Sequence, residues 1–378
     1  MGTPKRTKVT RLVGWLALVV VFMGAASVTA FALTRGTNAP PKRSLPAAIS
    51  HALAGKQVAG ITADVKLTTN LLPGTSGAFQ TSALEGATGH VWLTKGQAKL
   101  ELSSQLGTTV LGFSDGRVTL YQPKSNTAYV LPRHHGTADA KTESHTGGVP
   151  STTEISGALA ALNQHWFVSG AIPGVIAGQP EYTVRIQPRA NGGLFGTLAL
   201  AFDANHAVPL RIALYPKGSG TPAIELEVTK IHFGAVPASD LRVAPAGATV
   251  HLVHPPSQAE IQKHLPFKAA TFKADVPAQI AGMKLHKAHT FSFHGQPATL
   301  AVYGRGLGSV LVLEQKANGS TSDDMLAALP TVTVGSVRGH ELDTTLGSVV
   351  RFTRDGVTYT IVGSQRPSTI QQAARSLQ

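Results

Sequence analysis

The sequence predicts an α+β protein built mainly from antiparallel strands. Three observations carry this prediction. Short stretches alternate apolar and polar residues, as in Ile61-Thr62-Ala63-Asp64-Val65-Lys66-Leu67-Thr68, the period of a strand with one buried and one wet face. Turn signals such as Asp115-Gly116, Asp203-Ala204-Asn205-His206 and Asp355-Gly356 separate them. Helical spacing is confined to a few segments. With 378 residues, 39 Gly, 23 Pro and 14% charged residues, the chain suits many short strands and a sizeable core.

The stretch Gly112–Leu131 reads as a β-meander. Ser114-Asp115-Gly116-Arg117 makes one turn, because Asp-Gly tolerates positive φ, and Pro123-Lys124-Ser125-Asn126 makes the next. Val118–Gln122 and Thr127–Leu131 are the strands around them. Before the meander, Pro46–Gly55 has the marks of a short helix, with Pro at its start, Gly at its end and Ile49 and Leu53 on one face. Val91–Thr94, Lys99–Ser103 and Thr108–Phe113 are further strands, and Leu72–Gly89 is a Gly/Ser/Thr-rich loop. Arg133–Thr153 is a long polar loop, of the kind that serves as a functional lid or stays unstructured.

That loop ends in Ser151-Thr152-Thr153-Glu154, a capping-box form. Ile155, Leu159, Leu162 and Trp166 follow at helical spacing, predicting an amphipathic helix over Thr152–Phe167. Strands resume with Tyr182–Gln187, Leu194–Asp203, Val208–Tyr215 and Ala223–Phe233. Strands joined by short turns form an antiparallel sheet, and one this wide tends to curl. His254-Pro255-Pro256-Ser257 breaks the pattern as a domain boundary. Beyond it come strands Ala298–Tyr303, Ser309–Gln315, Ser348–Arg354 and Val357–Val362, a helical turn at Asp323–Leu329, and a closing helix Ser368–Leu377 with Ser368 as its N-cap.

Leu12–Thr34 has no charge and is mostly apolar. At 1.5 Å per residue it can cross a hydrocarbon core of about 30 Å. Four basic residues precede it, which places residues 1–11 in the cytoplasm and everything after Thr34 outside. The rival reading is a cleaved signal peptide, since Ala30-Phe31-Ala32 has the small-x-small form. The length of the run favours the retained anchor, and both readings export the protein. Residues 35–45 are a Pro-rich basic linker. Residues 1–43 carry seven basic residues and no acid, which leaves +6 of the net +13 on the rest of the chain. Such a mildly basic surface is not a nucleic-acid footprint.

The chain has no Cys, which excludes disulfides, thiol nucleophiles and thiolate metal sites. His134, His135 and His145 lie beside Glu143 in the polar loop, but their spacing fits no closed metal site, so no metal is expected. Gly304-x-Gly306-x-Gly308 lacks the dinucleotide fingerprint's spacing and reads as a turn between strands. Ser322-Asp323-Asp324 lacks partners at calcium-loop spacing. Neither a P-loop nor a nucleophile elbow is present, so no enzyme activity and no cofactor are expected.

Three stretches carry a family resemblance: SDGRVTLYQPKSNTAYVL, FDANHAVPLRIALY and LEVTKIHFGAVPASDLRVAPAGA. In this order and spacing, Leu45–Leu252 resembles the LolA/RseB-like superfamily, most of all its membrane-anchored actinobacterial LolA-like members. Residues 267–378, after a linker at 254–266, are similar to the small β-rich α+β domain appended in RseB-type regulators. The resemblance implies that residues 46–253 form a strongly curved half-barrel sheet whose concave side is covered by helices. It implies a lipid or lipoprotein acyl chain as ligand, or, alternatively, a regulatory module that contacts an anti-sigma factor or an ABC transporter subunit. A tethered chain can receive, hold or sense a lipid but cannot ferry it.

The candidate cleft combines strand residues Val65, Leu67, Leu100, Leu102, Leu111, Phe113, Leu120, Val184 and Ile186 with helix residues Leu159, Leu162 and Trp166. The same alternation describes an ordinary filled core, as in a purely structural envelope protein. Only the resemblance favours the cleft.

Overall fold

The computed structural model describes residues 39–55, 58–72, 86–105, 107–131, 151–253, 276–293, 296–317 and 329–377. The expected anchor at 12–34, the histidines and Glu143 of the polar loop, the boundary at His254 and all but the last residue of the expected helical turn at Asp323–Leu329 lie outside them. Among the described residues, no helix is long and apolar enough to cross a membrane.

The first sheet has 13 strands. They are β1 Gly60–Thr69, β2 Ala87–Thr94, β3 Gln97–Ser104, β4 Gly107–Ser114, β5 Arg117–Gln122, β6 Thr127–Leu131, β7 Trp166–Val168, β8 Ile172–Ile176, β9 Gln179–Pro188, β10 Phe195–Asp203, β11 Pro209–Pro216, β12 Ile224–Phe233 and β13 Thr249–Leu252. The spatial order is β13-β6-β5-β4-β3-β2-β1-β12-β11-β10-β9-β7, with β8 also on β9. Pairing is antiparallel except for β13, which lies parallel to β6. The chain's first strand therefore sits mid-sheet, with Ile61 opposite Leu93 on one side and Phe233 on the other.

The meander forms as expected. Asp115 and Gly116 both have positive φ, 51° and 73°, which matches the twist of the flanking strands. Asn126 ends the next turn in the left-handed region. Two helices pack on this sheet: α1 Leu45–Ala54 and α2 Thr152–Leu162. The capping box at Ser151 is complete, its hydroxyl accepting from the Glu154 N–H at 3.3 Å while the Glu154 carboxylate accepts from the Ser151 N–H at 2.8 Å.

Helix α2 is shorter than the apolar spacing predicts. It stops before Asn163, whose side-chain carbonyl accepts from the Val168 N–H at 3.2 Å. Trp166-Phe167-Val168 then pairs with β9 as a strand. Trp166 is thus a strand residue, because an aromatic and β-branched triplet gains more from the sheet edge than from another helical turn.

One face of the sheet lies inside its curl. Ile176, at the end of β8, and Ala177, in the turn to β9, join the same apolar core as Val91 on β2 and Leu100 on β3, although several strands separate them along the sheet. The helices lie on this concave side. Leu45, Ala48 and Ala52 of α1 bury against Tyr182, Val184, Ile186 and Phe202. Gly55 after α1 is dictated by close approach, since a Cβ there would stand 1.5 Å from the backbone oxygen of Asn205.

A second sheet has eight strands in the order β14-β15-β16-β17-β21-β20-β19-β18. These are β14 Gln279–Ile280, β15 Met283–Phe293, β16 Gln296–Tyr303, β17 Val310–Lys316, β18 Thr331–Val334, β19 Val337–Thr344, β20 Gly347–Arg354 and β21 Val357–Gly363. Helix α3, Pro367–Arg375, closes its core with Ile370, Ala373 and Ala374 against Val312, Val350 and Ile361. The N-cap of α3 is Arg366, not Ser368. Pro367 takes the first turn, where its missing N–H costs nothing, and Ser368 follows it inside the helix. Asp355-Gly356 makes the expected hairpin, with φ of 49° and 73°.

Candidate functional site

Strand register makes the concave face continuous. Leu100, Leu111, Leu120 and Tyr129 stand opposite one another in turn across β3 to β6. Ala98, Phe113, Val118 and Leu131 form the next row. Toward the other end, Leu67, Leu226, Ile212, Leu200 and Val184 continue the face across β1, β12, β11, β10 and β9. Several ion pairs lie on the opposite face. The pairs His90–Asp64 at 2.7 Å and Lys99–Glu101 at 3.8 Å, and Arg211 with Glu225 and Glu227, all occupy the convex face. Burial lowers the Arg211 pKa, but the Glu225 carboxylate and the Tyr215 hydroxyl together offset this and hold it above the ordinary value.

The face is sealed at one end and open at the other. At β9 and β10, Val184 and Ile186 are buried under α1, with Leu159 and Trp166 packed beside them. Leu162 is also buried. In the middle Val65 is buried, with Leu100 and Leu102 partly so against the same core, and Leu67 is half-buried. Among the described residues the cover ends at β4 to β6. Leu111, Val118 and Leu131 are 38%, 42% and 40% exposed, while Phe113 and Leu120 are half-buried.

The convex side of the same strands is covered instead. Val243, Ala244 and Ala248 pack there on Val110, Tyr121 and Ala128. A Cβ at Gly112 would meet the Val243 side chain at 2.0 Å. Among the described residues, no comparable cover lies on the concave face of β4 to β6.

Of the twelve candidate residues, ten lie on the concave face of the sheet and Leu159 and Leu162 on α2, and they do not share one environment. Val184, Ile186, Leu159, Leu162 and Trp166 belong to the sealed end, where a filled core describes them. Leu111, Phe113 and Leu120 reach the open end. Val118, Leu131 and Tyr129 stand in the same rows and lie outside the candidate set. The two-residue Asp-Gly turn carries the signal for the first of them, because it forces Val118 opposite Phe113.

Among the described residues, no group of three or more His, Cys, Asp or Glu side chains is placed to hold a metal ion. Glu181 is buried, which pushes its carboxyl above the usual range despite a Thr183 hydroxyl donating at 3.0 Å and the nearby charge of Arg211.

A curled antiparallel sheet with helices on its concave side and a smaller β-rich unit after it is the architecture that the sequence resemblance implies. No family model and no curated protein matches the sequence. Among solved structures, the chain is similar to the MucA/MucB complex of Pseudomonas aeruginosa, at 17% identity over 87% of this chain and 94% of that one, TM-score 0.43. It is also similar to a LolA superfamily protein from Nitrosomonas europaea, at 9% identity over 53% of this chain and 98% of that one, TM-score 0.25. A third likeness is to an outer membrane lipoprotein-sorting protein domain from Vibrio parahaemolyticus, at 13% identity over 48% and 89%, TM-score 0.21.

Proposed function

We propose that the open end of the concave face holds an acyl chain of a lipid or lipoprotein. In the same reading the chain is anchored by Leu12–Thr34, and residues 46–253 and 267–378 act as two domains outside the membrane. The observation that carries the reading is the uncovered apolar patch of Leu111, Val118 and Leu131. It continues a face that is packed shut at its other end.

The physics is transfer of hydrocarbon from water to a greasy strip, worth about 0.8 kcal/mol for each methylene removed from water. An alkyl chain laid along the rows Leu100–Tyr129 and Ala98–Leu131 meets side chains of suitable chemistry on four neighbouring strands. No specific polar contact is needed for useful affinity, so the ligand class is set by its apolar part.

Native mass spectrometry of the detergent-solubilised full chain tests this against a panel of fatty acids, lysolipids and phospholipids. Retention of at least one acyl-bearing species is expected. Failure to take up any of them would count decisively against the reading.

A further inference from the structure

The two sheets touch through the loop between β9 and β10, residues 189–194. Its tip enters the second sheet. Asn191 accepts from the Gly308 N–H at 2.6 Å, and the Leu194 N–H donates to both the carbonyl and the hydroxyl of Ser364, at 2.9 and 3.1 Å. Gly193 has a φ of +60°, and a Cβ there would lie 1.9 Å from the Ser364 oxygen. Gly306 and Gly308 are as crowded from the other side, their Cβ positions falling about 3.1 Å from Asn191. The glycine turn of the second sheet is therefore a socket. Beside it, the Ser364 hydroxyl donates to Leu346 at 2.7 Å, and the Thr345 N–H donates to Leu71 at 2.7 Å.

The stems of the same loop grip the end of α2. Arg189 donates from Nε to the Asn163 carbonyl at 2.6 Å and from its backbone N–H to His165 at 3.2 Å, and its guanidinium stands over the Phe167 ring. On the other stem Phe195 meets Trp166 edge to face at 6.1 Å. Trp166 in turn packs with Leu159 on the sealed end of the concave face.

We infer that loop 189–194 couples the seating of α2 on the concave face to the docking of the second sheet. A short loop hydrogen-bonded at both stems and at its tip cannot shift at one end alone without straining bonds at the other. Coupling of this kind is reciprocal: loosening either end loosens the other. The inference does not depend on what the open face holds.

Hydrogen exchange on the full chain tests it, because exchange reads local opening amide by amide. Arg189→Ala removes only the α2 side. It is expected to speed exchange of the Leu194 and Gly308 amides at least tenfold, while the Ile61 and Ile361 amides in the two cores stay unchanged. Gly193→Val removes only the socket side and is expected to speed exchange of the Asn163 and His165 amides by a similar factor. Should Gly193→Val unfold the chain, Ser364→Ala serves as the milder socket variant. Changes confined to the side carrying the substitution, in both directions, would overturn the coupling.

Discussion

Leu111 and Leu120 face each other across β4 and β5, in the middle of the uncovered part of the concave face. Neither is needed to fill a core, since Leu111 is more than one-third exposed and Leu120 is half-buried. Leu111→Glu and Val118→Glu should therefore cost only about 0.5 kcal/mol, the usual range for surface positions, while abolishing acyl retention. Native mass spectrometry and thermal unfolding on the same samples check both halves. Val184→Glu, at the sealed end, should instead unfold the chain, because it buries an unpaired charge.

Gly55 is the second test. Its Cβ position lies against backbone, not against a side chain that can swing away. Gly55→Ala should destabilise by about 1–3 kcal/mol through overpacking. The urea midpoint should fall with little change in slope. An unchanged midpoint would mean that α1 does not sit against the Asp203–His206 turn.

The capping box makes a smaller prediction. Ser151→Ala leaves the Glu154 N–H without its acceptor and should cost about 1 kcal/mol. Faster hydrogen exchange confined to the first turn of α2 would show the loss directly.

Two of the buried acids, Glu181 and Glu341, contribute a pH dependence. Burial raises the Glu181 pKa, and burial raises that of Glu341, aided by Asp343 and opposed by the Gln371 amide that donates to it at 2.8 Å. A carboxyl whose pKa is higher folded than unfolded binds its proton more tightly in the folded chain. Its contribution is fully present below the unfolded value, about 4.3, and is lost as pH rises through the folded value. Glu181→Gln and Glu341→Gln should each flatten the fall in stability over that window. Chemical unfolding at a series of pH values measures it, and a steeper fall in either variant would contradict the assignment.

Local chemistry was legible in the sequence wherever it acts alone. Asp115-Gly116 and Asp355-Gly356 turn the chain as their backbone preferences require, and Ser151 caps the helix that its spacing announces. Trp166 shows where such reading stops. Its helical spacing from Leu162 is real, yet β9 offers it a pairing partner that only the folded sheet supplies. Strands β7, β8 and β13 are short and lack clear alternation, so they become visible only beside β9 and β6. The candidate site suffered the same way. Alternation assigns Leu111 and Val184 to one class, and nothing local tells which of them a helix from another part of the chain will cover.

Placing the first strand mid-sheet has a temporal consequence. The Thr229 hydroxyl donates to the Asp64 carbonyl at 3.2 Å across 165 positions of chain, and β12 is the neighbour that completes β1. An emerging polypeptide thus carries one unsatisfied flank of β1 until nearly the whole first sheet has been synthesised. Assembly dominated by such distant partners is slow, and the half-made sheet shows strand edges and oily surface to its surroundings in the meantime. Production of this protein should depend on a holding chaperone more than its final stability would suggest.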